Sequence, residues 1–422
     1  MKMWLRSFES RHTAINAMPR GFINASRWCY MNSTIQVLVS IPSFHNLFTR
    51  LYGHEGATID CQMVSALSSL MSQYKTKKNG KVNQMIRNIN KETNVNLSDL
   101  QEIAVHSGVF EKGVCEDAVE YLTHVLDHLD GEMKMLCYEN EKFKTPIVKM
   151  FQGCSVNSVN TGTGNRDVFY NLSLDIHIET ISCVQEALMY RFGAKEDEKS
   201  NIPESLDTPS LNTNVHEAND FCDYMLEDSE YSYDFSEEDE DSASYVSHSS
   251  YNDEADNIQA AIAASLQRSY EETPQKDKIL KEVIDVLPEI LVIQLKRFSF
   301  DRETCIASKI LRNVDIDSVL DIPEEILSEQ AVKKYTGSSR MYSLHAVIYH
   351  VGEDLETGHY FCSTMNGAVN EWLCMDDSTI TVEKSNPRDA CRDTNESPYV
   401  LFYRRMDTVS SHYETLNSHF SC

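Results

Sequence analysis

Four side chains, from two distant parts of the sequence, have the types needed for thiol-dependent nucleophilic catalysis. Cys29 is followed by apolar residues at helical spacing, which predicts a thiol at the start of a helix. The helix dipole favours the thiolate there, and the thiolate is the nucleophilic form of cysteine. Asn24 offers an amide that would stabilise an oxyanion. Because a lone cysteine is more often an inert buried side chain, the prediction depends on a distant base, His359, and an orienting carboxylate, Asp376.

The stretch 342–377 reads as strands and turns that would position the histidine and the aspartate. Its first part alternates apolar with polar or surface-type residues, as a half-buried strand does, at Leu344, Ala346 and Ile348. A second strand begins near His359, and the turn Asn366-Gly367 leads into a third. An Asn-Gly turn between two strands is typical of a hairpin. Such a hairpin would bring Asp376, at the end of one strand, beside His359 at the start of the other.

Six blocks of the sequence, in this order, resemble the ubiquitin-specific proteases, a family of papain-like deubiquitinases. The segment GFINASRWCYMNS resembles the cysteine box of that family, and the segment containing GHYFC and WLCMDD resembles its histidine box. Four further blocks, among them CEDAVEYL and LVIQLKRF, resemble other parts of the same domain. The six blocks are 21–33, 115–122, 151–153, 287–298, 342–377 and 399–403. The resemblance therefore covers almost the whole chain.

The resemblance implies a role for each candidate residue. Cys29 aligns with the nucleophile of the family and His359 aligns with its base. Asp376 aligns with the third member of the triad, while Asp377 is a neighbour that could support or substitute for it. Asn24 aligns with the oxyanion-stabilising asparagine.

The three residues before Cys29 depart from the family pattern, which is close to Gly-Asn-Thr. They are Ser26, Arg27 and Trp28. A glycine at the position of Ser26 would permit backbone angles that serine adopts only at a cost. Trp28 is bulky and is expected to line or narrow the cleft that accepts the Gly-Gly tail of ubiquitin. Two functions therefore stay open: an active deubiquitinase, and a catalytically impaired ubiquitin-binding scaffold of the same fold.

The resemblance also implies an α+β fold, the papain-like hand with a helical thumb and β-rich fingers and palm. The thumb would occupy residues 21 to about 145, and 59–74 and 115–129 read as helices within it. The catalytic domain would span 21–405, with an N-terminal extension at 1–20 and a tail at 406–422.

An acidic insert is predicted to interrupt this domain at 196–275. The chain has a net charge of −27, and residues 200–267 contain no Lys or Arg. High charge with few aliphatic residues predicts disorder. The acidity argues against binding to nucleic acid, because phosphates would be repelled.

The end of the insert, 253–272, has a different pattern: an acidic start followed by an alanine-rich, helix-favouring run. One helical face would carry Ile258, Ala261, Ile262, Ser265 and Leu266. The segment resembles a ubiquitin-interacting motif, which implies a second contact with ubiquitin. The alternative is an ordinary amphipathic helix packed on the domain.

The remaining expectations concern metals, compartment and partners. The zinc candidates Cys154, Cys183 and Cys222 have no partner three positions away, so no metal or other cofactor is expected. The charged start of the chain does not read as a secretory signal, and no run of about 20 apolar residues predicts a membrane span. Twelve cysteines without such a signal favour a reducing intracellular compartment, nuclear or cytoplasmic. The expected partners are ubiquitin and ubiquitinated proteins, and the oligomeric state is open.

Overall fold

The structure, a computed structural model, describes residues 5, 8, 17–52, 61–74, 82–92, 94–137, 144–159, 162–193, 279–301, 306–352, 358–367, 370–383 and 396–408. The predicted insert at 196–275 and the predicted motif at 253–272 lie outside the described residues, together with Ile258, Ala261, Ile262, Ser265 and Leu266. So do most of the predicted N-terminal extension and of the predicted C-terminal tail.

Seven helices of the described residues precede the first strand, and two more follow later in the chain. The first seven are α1 Cys29–Ser40, α2 Pro42–Leu51, α3 Gln62–Ser72, α4 Val82–Ile89, α5 Ser98–His106, α6 Ala118–Leu136 and α7 Pro146–Phe151. The other two are α8 Val184–Phe192 and α9 Glu329–Lys334. The helix predicted at 59–74 corresponds to α3. The helix predicted at 115–129 begins three residues later and ends at Leu136.

The strands form one large sheet and two small ones. They are β1 Gly153–Val159, β2 Gly162–Phe169, β3 Asn171–Asp175, β4 Ile279–Val286, β5 Ile290–Lys296, β6 Phe298–Asp301, β7 Ile306–Lys309, β8 Val319–Asp321, β9 Met341–Val351, β10 His359–Asn366, β11 Glu371–Asp376, β12 Thr379–Val382 and β13 Glu396–Arg405. The large sheet has the order β12-β11-β10-β9-β13-β5-β3, with β8 paired to β9. The order β2-β1-β4 makes a three-stranded sheet, and β6 and β7 make a two-stranded one.

The large sheet separates two hydrophobic cores, because the side chains of a strand alternate between its faces. The helix-side core contains Ala346 and Ile348 of β9 together with the thumb helices. The far-side core contains Val347 and Tyr349 of the same strand, and α8 packs there. The prediction of a half-buried strand at this position was therefore wrong: β9 is buried on both faces because each face has its own core.

Helix α1 is the central element of the helix-side core. All of its residues from Cys29 to Val39 are buried, and the helix packs against β10 and against α6. A helix that is buried all round, including its polar residues, needs partners for those polar groups. Among them, Thr34 Oγ1 donates to the carbonyl of Tyr30 at 2.8 Å, and Asn32 donates to Asp377 at 2.8 Å.

A hydrogen-bond network joins the thumb to the large sheet at the start of α6. Asp117 is the N-cap of α6, and its Oδ1 accepts from the backbone N–H groups of Val119 at 2.7 Å and Glu120 at 3.0 Å. The other oxygen of Asp117 accepts from the hydroxyl of Tyr399 on β13. That hydroxyl in turn accepts from Gln294 Nε2 on β5 at 2.8 Å. The cap explains why α6 begins at Ala118, and the network fixes the helix relative to β13 and β5.

Candidate active site

The thiol of Cys29 lies at the N-terminus of α1, as predicted. Cys29 is only 3% exposed, and Trp28 is the N-cap residue of the helix. The N–H groups of a first helical turn have no partner within the helix, so their partial positive charge favours an anion there. Cys29 therefore occupies a position that favours the thiolate.

The hairpin predicted for the histidine and the aspartate is present. Strands β10 and β11 pair antiparallel, with Cys362 opposite Met375. The hairpin brings His359 Nε2 within 2.7 Å of Asp376 Oδ1. Because Nε2 is hydrogen-bonded to Asp376, the ring nitrogen that remains to face Cys29 is Nδ1. The packing of α1 on β10 places the cysteine helix directly against the strand that carries the histidine.

The electrostatic surroundings of Cys29 and His359 favour a thiolate paired with an imidazolium. The pKa of Cys29 is lowered to about 4, first by a hydrogen bond from the Cys115 side chain and further by His359 and the backbone N–H of Tyr360, against the opposing effect of burial. The pKa of His359 is raised to about 10, chiefly by its hydrogen bond with Asp376 and then by Cys29. The pKa of Asp376 is lowered by the same hydrogen bond. These shifts all favour a thiolate beside an imidazolium at the site.

Asn24 is held at both ends of its amide. Its Oδ1 accepts from the backbone N–H of Trp28 at 2.8 Å, and its Nδ2 donates to Asp377 Oδ2 at 2.8 Å. Asp377 Oδ1 accepts from Asn32 Nδ2, also at 2.8 Å. Burial raises the pKa of Asp377, and the bonds from the two asparagines oppose that effect. An Nδ2 group has two hydrogens, so Asn24 keeps one donor for the cleft beside Cys29.

The two aspartates at 376 and 377 therefore contact different partners. Asp376 faces the histidine, whereas Asp377 faces Asn24 and Asn32. The backbone carbonyl of Asp377 also accepts from Phe22 N–H at 2.8 Å. Asp377 has a φ of +48°, a left-handed backbone conformation, and its side chain bonds to Asn24 and Asn32.

A cleft of roughly 380 Å³ opens at the nucleophile, and two of the three departures from the family pattern, Ser26 and Arg27, line it. It is lined by Asn24, Ala25, Ser26, Arg27, Cys29, Gly358 and His359. The residue with left-handed backbone is Arg27, at φ +59°, so the strain predicted for Ser26 falls one residue later. The prediction that Trp28 lines or narrows the cleft was wrong. Trp28 is 2% exposed and packs in the helix-side core, with its ring 5.9 Å from that of Tyr30.

Gly358 precedes the histidine because a larger residue would not fit there. A Cβ at this position would overlap the ring of His350 and lie 2.8 Å from the carbonyl of Val351. His350 is fully buried, and its Nδ1 accepts from Lys309 Nζ at 2.9 Å. Lys309 also donates to the carbonyl of Gly352 at 2.6 Å, and burial lowers its pKa to about 8. Lys309 thus holds the end of β9 at Gly352, and His350 packs against Gly358, next to His359.

Among the described residues, one group of three potential metal ligands lies together. Donor atoms of His359, Asp376 and Asp377 lie within 4.8 Å of one another. Each of these side chains already has a protein partner, in the His359–Asp376 bond and in the bonds from Asn24 and Asn32. Their contacts are therefore those of a triad and its neighbour, and no step of the chemistry requires an ion.

Two contributors to the site were not predicted from the sequence. Cys115 belongs to a matching block and was not predicted to act at the site, yet it is the largest cause of the lowered pKa of Cys29, and its sulfur lies 3.9 Å from the carbonyl of Gly358. The backbone N–H of Tyr360 also contacts the sulfur of Cys29. The only signal for Cys115 was a thiol at the first position of a block where the family has glutamine. The contact of Tyr360 depends on the backbone and has no sequence signal.

The fold and the site together define a papain-like arrangement of cysteine, histidine and aspartate between a helical thumb and a sheet. The chain belongs to the ubiquitin carboxyl-terminal hydrolase family, whose model matches residues 20–403.

Similar proteins of known name support this assignment. Ubiquitin carboxyl-terminal hydrolase 10 of Xenopus tropicalis is 25% identical over 431 residues, covering 94% of this chain and 49% of that protein. Its counterpart in Rattus norvegicus is 26% identical over 424 residues, with the same coverage of 94% and 49%. The chain therefore spans about half the length of these curated relatives.

Solved structures confirm the predicted α+β hand. The SAGA Ubp8/Sgf11/Sus1/Sgf73 DUB module matches with a TM-score of 0.54 at 15% identity, covering 94% of this chain and 69% of that one. The same module bound to ubiquitin aldehyde matches with a TM-score of 0.55 at 16% identity, covering 94% and 70%. Within the described residues, no helix has the length and apolar character needed to cross a membrane.

Proposed function

We propose that the chain is a thiol-dependent deubiquitinase that hydrolyses the isopeptide bond after the C-terminal glycine of ubiquitin. The observation that carries this proposal is that Cys29 and His359 line one open cleft, with Asp376 hydrogen-bonded to the imidazole at 2.7 Å. Family membership and the ubiquitin aldehyde bound to a related fold support ubiquitin as the substrate.

The geometry supports a two-step acyl transfer. The Cys29 thiolate attacks the carbonyl carbon of the last glycine of ubiquitin, and the resulting oxyanion accepts hydrogen bonds from Asn24 Nδ2 and from the N–H of Cys29. The His359 imidazolium gives its proton to the leaving lysine amine, and a thioester forms. His359 then takes a proton from water, which attacks the thioester and releases the ubiquitin carboxylate and the Cys29 thiol. Asp376 keeps the imidazole in the required tautomer throughout.

The catalytically impaired scaffold, the alternative function, has no supporting observation in the site. The three triad side chains lie together, and the bulky Trp28 packs away from the cleft. Arg27 lines the cleft, and the cleft still has a volume of roughly 380 Å³ with this long side chain in place.

A ubiquitin probe with a C-terminal electrophile tests the proposal. We expect the wild-type chain to be labelled, and we expect Cys29→Ala to abolish labelling because the probe bonds to this sulfur alone. Cys183→Ala is a matched control, since Cys183 is a free, partly buried thiol at the N-cap of α8 and should leave labelling unchanged. Folded wild-type protein that reacts with a small alkylating reagent but not with the probe would overturn the proposal.

We further propose that one catalytic domain, 21–405, contains the insert 196–275 with a ubiquitin-interacting motif at 253–272. The support is the sequence pattern alone. A single motif helix has a small interface, so its effect would come from a higher local concentration of ubiquitin chains. Ala261→Asp combined with Ser265→Asp should slow the hydrolysis of ubiquitin chains more than that of single-ubiquitin substrates. Equal slowing of both would contradict the motif.

The proposed partners are ubiquitin and ubiquitinated proteins, and the proposed compartment is intracellular. Cys29, Cys115, Cys154, Cys183 and Cys362 are free thiols, which is consistent with a reducing environment.

A further inference from the structure

The turn that carries Asp376 and Asp377 lies at an edge of the large sheet, because β12 is the first strand in its order. Strands β11 and β12 form a hairpin in which Asp376 pairs with Thr379, so the two-residue loop begins at Asp377. The pairing of β11 with β10 ends one residue before Asp376. Asp376 therefore lies beyond that pairing, and its distance from His359 depends on what else holds the tip of the hairpin.

A side chain of the thumb bonds to the outer edge of β12. In an antiparallel pair, every second residue points its backbone N–H and C=O away from the partner strand, and at a sheet edge these groups need other partners. Asn90 Nδ2 donates to the carbonyl of Ile380 at 2.7 Å, and Asn90 Oδ1 accepts from the N–H of Ile380 at 3.1 Å. One amide thus makes both bonds that a residue of an added strand would make.

The chain around Asn90 contacts both parts of the site. Asn90 directly follows α4, and α4 packs against β12. Five residues further on, the carbonyl of Val95 accepts from the backbone N–H of Ile23 at 2.9 Å, next to Asn24. The segment that follows α4 therefore holds the hairpin of the aspartates at one point and the loop of the oxyanion donor at another.

We propose that Asn90 is a positioning residue, whose amide fixes β12 at the sheet edge and thereby holds Asp376 at bonding distance from His359. The path is short: Asn90 holds Ile380, Ile380 lies opposite Met375, and Met375 directly precedes Asp376. The proposal rests on the proposed hydrolase function and adds to it a residue that does not line the cleft.

Asn90→Ala tests the proposal, because it removes both bonds to Ile380 without changing any charge. Phe22 N–H and Gln36 Nε2 still donate to the carbonyl of Asp377, so the tip of the hairpin should shift rather than detach. For a fluorogenic ubiquitin conjugate, we expect kcat/KM to fall about threefold to tenfold, since a small displacement of a catalytic group slows the reaction. The loss should lie in kcat, with KM within about twofold of wild type, because Asn90 is outside the cleft.

Titration of the His359 ring by NMR gives a second readout that needs no ubiquitin. The hydrogen bond with Asp376 is the main cause of the raised pKa of His359, so a displaced Asp376 should lower that pKa by at least about half a unit in Asn90→Ala. Asn88→Ala is the matched control. Asn88 lies on the exposed side of the same helix and accepts from Gln84 Nε2 at 3.0 Å, so both readouts should stay at wild-type values.

An unchanged pKa of His359 in folded Asn90→Ala would overturn the proposal whether or not kcat/KM falls, since a purely structural role would leave this pKa in place. If Asn90→Ala does not fold, hydrogen exchange of the wild-type chain decides: the amide of Ile380 should exchange at least about tenfold more slowly than a free amide, and exchange at the free rate would overturn the proposal. A lowered pKa of His359 in Asn90→Ala, in a chain whose wild type does not hydrolyse ubiquitin conjugates, would overturn the proposed function and support the positioning role.

Discussion

Replacement of Asp377 by asparagine tests whether this residue positions the oxyanion donor rather than serving as the third triad member. Asparagine keeps the shape of the side chain and tolerates the left-handed backbone at φ +48°. It removes the charge that accepts 2.8 Å hydrogen bonds from Asn24 and Asn32, and its own NH₂ group would face one of those donors. The amide of Asn24 would then be held at one end only, by its bond from Trp28.

The expected magnitude follows from the bonds that change. A hydrogen bond to a charged group is worth about 1.5–3 kcal/mol, and complete loss of one oxyanion donor costs about 2.7–4 kcal/mol of transition-state stabilisation. Asp377→Asn loosens the donor on Asn24 without deleting it. We therefore expect kcat/KM to fall roughly tenfold to hundredfold, which corresponds to about 1.4–2.7 kcal/mol.

Two assays separate positioning of the donor from activation of the thiol. Hydrolysis of a fluorogenic ubiquitin conjugate reports the whole reaction, whereas alkylation of Cys29 by iodoacetamide reports the thiolate alone and involves no oxyanion. Asp377→Asn should slow hydrolysis and leave alkylation within about twofold of wild type. Asp376→Asn, the same substitution one residue earlier, should slow both reactions, because Asp376 supports the imidazolium that lowers the pKa of the thiol.

The combination with Asn24→Ala completes the test. If Asp377 acts through Asn24, the double variant should be no slower than Asn24→Ala alone, since residues that act as a unit are not additive. Two results would refute the positioning role of Asp377. One is a double variant in which the two single losses of kcat/KM multiply fully, and the other is an Asp377→Asn variant in which alkylation slows as much as hydrolysis.

Three further measurements probe the cleft and the triad. Asp376→Asn removes the main cause of the raised pKa of His359. Because the imidazolium is lost as pH rises through that pKa, the alkaline limb of the hydrolysis–pH profile should move at least about one unit below 10. An alkaline limb that does not move would contradict the assignment. Arg27→Gly relieves the strain of the left-handed backbone at φ +59°. It should raise the free energy of unfolding, measured by urea denaturation, by about 0.5–1 kcal/mol. A free energy of unfolding below that of the wild type would show that the strain is absent. Gly358→Ala forces a Cβ against the ring of His350 and should lower kcat/KM at least about tenfold, and wild-type activity would show that the ring can move.

The triad could be predicted from the sequence because its members lie at the ends of regular elements. Helical spacing after Cys29 placed the thiol at a helix start, and the strand–turn–strand pattern placed His359 beside Asp376. Such positions follow from local periodicity, which is readable in one sequence. Asn24 was expected near the sulfur because it lies five residues before Cys29, and it lines the same cleft.

The errors and omissions arose where tertiary packing decides the outcome. Trp28 lies next to the nucleophile in sequence, but its ring packs in the helix-side core, because burial of a large aromatic side chain outweighs exposure in the cleft. The pattern around β9 suggested one exposed face, although a second core covers it. The effect of Cys115 on the pKa of Cys29 links residues 86 positions apart, by subtraction of their numbers. No local pattern encodes such an effect.

The position of β13 in the large sheet has a consequence for biosynthesis. This strand, Glu396–Arg405, lies between β9 and β5 in the large sheet. Until β13 is added, β9 and β10, the strand that carries His359, have no backbone pairing with β5 and β3 in the described sheet. It also carries Tyr399, the partner of Asp117 at the start of α6. On the ribosome, all three triad residues emerge before this strand does. We therefore expect a nascent chain to expose the thiol early and to gain the ordered site only after residue 405 has emerged, so that hydrolysis begins with completion of the domain.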